Sequence, residues 1–76
     1  MRVHFGGHLA FYQPERQSWA EVHIPGPLLL DQVIDQLRIP RGEIAIAVVN
    51  GEAVDSRTYL VADSDEVQFF PPTNGG

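Results

Sequence analysis

The sequence predicts an α+β domain in two layers: a mixed sheet of four or five strands with one helix across one face. Three observations predict it. "EIAIAVVNGEAV" alternates with the two-residue period of a strand and carries Asn50-Gly51, a strong short hairpin signal. "LLLDQVIDQLRIP" shifts to helical spacing, with Leu30, Val33, Ile34 and Leu37 on one stripe. "MRVHF" and "EVQFF", near opposite ends of the 76 residues, alternate again.

In the first strand, Met1, Val3 and Phe5 share one face, and Arg2 and His4 the other. Gly6-Gly7 weakens that strand and suggests a bulge. "HLAFY" either resumes the strand or forms a short helix over residues 8–12. "QPER" supplies a turn with proline at a favourable position. "SWAEVHI" then sets Ala20, Val22 and Ile24 against Trp19, Glu21 and His23, so residues 1–24 read as a β-hairpin.

The helix is expected to run about three turns, with Pro27 in its first turn and Pro40 closing it. Asp31 and Arg38 lie near the dipole ends that favour their charges. In the next strand Ile44, Ile46 and Val48 face one way and Ala45, Ala47 and Val49 the other. After the hairpin, "SRTYLVADSD" reads as an irregular connection. The last strand turns Val67 and Phe69 inward, and Gln68 and Phe70 outward. Residues 1–70 make a single domain, and residues 71–76 form a flexible tail ending in Gly75-Gly76.

Composition narrows the function. The chain has no cysteine, so no persulfide, thioester or Cys-ligated zinc can sit on a side chain. A net charge of −5 argues against phosphate-mediated nucleic-acid binding and suits a basic partner. No apolar run approaches the ~18 residues of a membrane span, and "MRVHFGG" lacks a signal-peptide core. A cytoplasmic protein is expected. All five basic residues are arginine, and there is no lysine.

Several motifs in order carry a resemblance. "LDQVIDQLRIP", "VVNGEAV" and "DSDEVQFFPPTNGG" resemble the helix, central hairpin and ending of the ubiquitin-like sulfur carriers. That family includes the molybdopterin synthase small subunit and the thiamine-pathway sulfur carrier. The resemblance covers about residues 28–76 and implies a β-grasp fold. The spelling Phe-Phe-Pro-Pro-x-x-Gly-Gly leans toward the molybdopterin branch. Three features depart from it: "GGHLAFYQPER" is short for the helix usual between the first strands, Ser64 replaces a usual glycine, and Gly6 replaces a usual aromatic.

The resemblance implies a carrier rather than an enzyme. An adenylating enzyme resembling the ubiquitin activators would use ATP and magnesium to turn the Gly76 carboxylate into an acyl-adenylate. A persulfide on a sulfur donor protein would then leave a thiocarboxylate on Gly76. The carrier itself would hold no cofactor tightly and no metal. Pro71-Pro72 makes an extended spacer, and Thr73, Asn74, Gly75 and Gly76 span at most about 13–14 Å. Glycines let such a tail thread a narrow tunnel. In the molybdopterin branch the tail would enter the large synthase subunit.

Phe70, with Ala45, Ala47 and Val49 expected beside it on an open sheet face, reads as a partner-docking patch. His4, His8 and His23 have no metal-ligand spacing, and Asp63, Asp65 and Glu66 read as a solvated acidic turn rather than a calcium loop. Two other routes remain open: sulfur transfer for thiamine, cysteine or homocysteine, and attachment through Gly76 as a ubiquitin-like modifier. A plain binding module that ignores the tail is the third class.

Overall fold

The computed structural model describes residues 1–72; Thr73, Asn74, Gly75 and Gly76 lie outside the described residues, and with them most of the expected tail. Strands β1 (Arg2–Phe5), β2 (Trp19–Glu21), β4 (Ile46–Val49), β5 (Glu52–Val54) and β7 (Glu66–Phe70) build one sheet in the order β2-β1-β7-β4-β5. The first and last strands meet at its centre, where β1 runs parallel to β7. Every other pairing is antiparallel, so the sheet is mixed. A second ladder pairs β3 (Leu28–Leu29) with β6 (Leu60–Val61).

Alternation decides what the sheet buries. Val3, Phe5, Val67 and Phe69 point to one face and are fully or almost fully buried. Helix α1 (Leu30–Gln36) lays Leu30, Val33 and Ile34 into the same core. Leu37, the last of the predicted stripe, packs half-buried at its margin. Covering a sheet face this way removes apolar surface from water at roughly 25 cal/mol per Å².

The helix is shorter than the sequence predicts, at seven residues. Leu28 and Leu29 pair with β6 instead of joining it, so Pro27 stands outside the first turn. The N–H groups of that turn, which have no partner within the helix, find the connection after β5: Leu30 N–H donates to the Tyr59 carbonyl at 2.9 Å and Asp31 N–H to the Ser56 carbonyl at 3.0 Å. The end is set by Arg38 rather than Pro40. Arg38 adopts φ 61°, its N–H donates to the Asp35 carbonyl, and Ile39 N–H reaches back to Ile34. That is a Schellman closure with arginine where glycine is usual.

The stretch after β1 does not resume as a strand. Gly7–Tyr12 and Pro14–Arg16 form 3-10 turns, which matches the helical alternative for residues 8–12. Buried Leu9 and Ala10 hold the first turn against the core. Gln13 Nε2 donates to the Leu37 carbonyl at 3.3 Å, and His8 Nε2 meets Glu43 Oε2 at 2.8 Å. The segment is thereby tied to both ends of the α1–β4 connection. Among the described residues no helix is long and apolar enough to cross a membrane.

Candidate functional site

The chain leaves the sheet through β7, its central strand. Backbone bonds hold it on both sides to its end: Gly6 N–H donates to the Phe69 carbonyl at 2.8 Å, and Ala45 N–H to the Phe70 carbonyl at 2.9 Å. Pro71 and Pro72 follow. Proline donates no ladder bond, so the pairing stops there.

The face turned away from α1 carries an aromatic row. Trp19, His4 and Gln68 stand side by side across β2, β1 and β7. The His4 ring lies 4.8 Å from that of Trp19 and 6.2 Å from that of Phe70. Arg2 covers Trp19, its guanidinium carbon 4.4 Å from the ring centre, and also reaches Glu66 at 3.6 Å. Phe70 is half-buried in this row, and Ile46, directly opposite it on β4, is 51% exposed. His4 Nδ1 is sealed among these rings with no hydrogen-bond partner among the described residues.

This arrangement corrects the expected patch. Ala47 and Val49 pair with Phe69 and Val67 and are buried with them in the core, on the face opposite Phe70. Directly paired residues share a face, so the inward side of β7 fixes the inward side of β4. Ala45 is exposed and bound through its amide to the Phe70 carbonyl. The outward residues near Phe70 are Ile46, Val48, Gln68, His4 and Trp19. The sequence showed Ile46 as a large residue on an alternating strand, but the side it takes depends on pairing with β7.

The acidic turn has internal work. Asp63 Oδ1 accepts the Ile24 N–H at 3.0 Å, and that bond is the main reason its carboxyl is held below the usual carboxylate range. Asp65 accepts from the Ala62 N–H at 2.8 Å and from Asn50 Nδ2 at 2.9 Å. Asn50 Oδ1 in turn accepts the Glu66 N–H at 3.0 Å. Asp65 and Asn50 thus lock the β4–β5 hairpin to the start of β7, while Asp63 ties the turn to Ile24. Among the described residues no three histidine or carboxylate side chains gather as a metal site.

The strand order, the parallel pairing of first and last strands and the single helix across one face define a ubiquitin-like β-grasp domain, as the sequence predicts. The ThiS family model matches residues 10–76, and the chain belongs to this family of ubiquitin-like sulfur carriers. The fold is also similar to that of a thiamine biosynthesis protein from Geobacter metallireducens, solved in solution by NMR. The two share 20% identity with a TM-score of 0.55, over all of this chain and 88% of that one. No curated protein matches the chain in sequence.

Proposed function

We propose that the protein carries sulfur on Gly76: its carboxylate is adenylated by a partner enzyme using ATP and magnesium, then converted to a thiocarboxylate by a sulfur donor protein. The observation that carries this reading is the exit of the chain. β7 is clamped on both sides up to Phe70, so Pro71 and Pro72 leave from the middle of the sheet, beside an exposed aromatic and aliphatic row. Adenylation turns a poor electrophile into one with a good leaving group, and the chemistry needs no acid, base or metal from the carrier. The outward face, with Phe70, Ile46 and Trp19, is the docking surface for the adenylating enzyme.

Two routes are supported by different observations. The family match supports a thiamine-type route, in which the sulfur enters a thiazole precursor. The Phe69-Phe70-Pro71-Pro72 ending supports pterin sulfuration with a large synthase subunit as partner. Conjugation to other proteins is a second class of outcome. The absence of lysine would bar lysine-linked chains of this protein but not single attachment.

Adenylation is tested by ATP–pyrophosphate exchange with the activating enzyme of the native host. Exchange that requires the protein and disappears on deletion of Gly76 supports the reading. Exchange unaffected by that deletion contradicts it. Thiolated protein offered separately to a thiazole-forming and a pterin-sulfurating enzyme then assigns the route.

A further inference from the structure

Gly6 and Gly7 lie beneath the point where the chain leaves the sheet. A β-carbon on Gly6 would stand 2.9 Å from the Phe69 carbonyl oxygen and 3.0 Å from Phe70 Cδ1. A β-carbon on Gly7 would stand 2.9 Å from Pro71 Cγ. The two 2.9 Å distances are shorter than real β-carbon contacts allow and the 3.0 Å one is tight, so the Phe69 carbonyl and the Pro71 ring, with the Phe70 ring close by, occupy space that only a side-chain-free backbone leaves open. Gly7 also has φ +52°, the left-handed region. Its turn is held by the Leu9 N–H donating to the Gly6 carbonyl at 3.0 Å. Elsewhere in the molecule the contrast is plain: a β-carbon on Gly26, Gly42 or Gly51 would meet nothing.

We infer that Gly6 and Gly7 are positioning residues for the C-terminal segment: they form the floor that seats Phe70 and Pro71, and so fix the direction in which the chain leaves the sheet toward the activating enzyme. The inference rests on the carrier reading above. Pro71 and Pro72 each have a ring-locked φ, so a change in the seat of Pro71 shifts the start of the tail at Pro72. Docking through the outward sheet face and delivery through the tail are separate functions of the surface. Gly6 lies against Phe70 of the docking face and bears on both, whereas Gly7 meets only Pro71 and therefore acts on the rate of adenylation and not on the affinity of docking.

The discriminating variant is Gly7→Asn. Asparagine accepts the left-handed backbone, so the turn survives, but its β-carbon displaces Pro71. Adenylation kinetics should show kcat lowered roughly 10-fold or more, as misplaced reacting groups do. KM should stay within about twofold, and the thermal midpoint should stay close to that of the wild type. In a Pro71→Ala background, which removes the ring atoms, Gly7→Asn should cost nothing beyond Pro71→Ala alone. Unchanged kcat in Gly7→Asn overturns the inference. So does a loss that persists in full in the Pro71→Ala background, or one that only tracks a fallen thermal midpoint. An inert wild-type protein instead overturns the carrier reading itself.

Discussion

Ile46 stands directly opposite Phe70 across the antiparallel β4–β7 pair, on the face away from the helix, while the next residue, Ala47, stands opposite Phe69 inside the core. One step along the strand thus separates the outward face, proposed above for docking, from the packed interior. Ile46→Ala should raise the KM for adenylation roughly tenfold, as loss of a central interface side chain does. Its folding free energy should change by about 0.5 kcal/mol or less. Ala47→Asp should cost about 3 kcal/mol or more by placing an unpaired charge in the core. Urea unfolding and adenylation kinetics on both variants check the pair.

Asn50 joins two roles at one position. It adopts φ 51° in the β4–β5 turn, and its side chain bridges Asp65 and the Glu66 N–H. Asn50→Gly should keep the turn and lose the bridge, costing about 1–2 kcal/mol. Asn50→Ala should cost more, because alanine resists the left-handed backbone. Equal losses in urea titrations would show that the turn conformation contributes nothing.

Acid should weaken the fold through identified carboxylates. Arg57 donates side-chain and backbone hydrogen bonds to Asp55, whose carboxyl is pushed down to about 2, and the Ile24 amide holds Asp63 low as well. A depressed folded-state pKa means stability that is complete above the unfolded value of about 3.9 and is lost as pH falls through the folded one. Stability should therefore decline from about pH 4 toward pH 2. Asp55→Asn should flatten part of that decline. An unchanged slope would remove Asp55 from the account.

Arg38 carries a left-handed backbone at the end of α1. Arg38→Gly should relieve it and stabilise the fold by about 0.5–1 kcal/mol. A loss of stability in thermal or urea melts would mean that the arginine side chain compensates for its backbone.

The features legible in the sequence are those that local chemistry dictates. The Leu30, Val33, Ile34 stripe, the inward Val67 and Phe69, and the Asn50-Gly51 turn follow from periodicity and turn preference, and the structure has them all. The missed features depend on pairing between distant segments. Whether Ala47 or Ile46 faces the core is decided by Phe69, more than twenty residues on, and an alternating strand reads equally well either way round. The two-residue ladder of β3 and β6 is too short to show a period, and it shortened the helix. Gly6-Gly7 was visible as a weak point in β1, but its reason, the approach of Phe70 and Pro71, exists only in the folded chain.

The proposed sulfur load on Gly76 is open to direct observation by intact mass spectrometry of the protein isolated from its native host under mild conditions. Sulfur carried on Gly76 would appear as a fraction heavier by the replacement of one oxygen with one sulfur, mapped to that residue. Free carboxylate alone, together with branched peptides carrying this Gly-Gly on the lysines of other proteins, would contradict it.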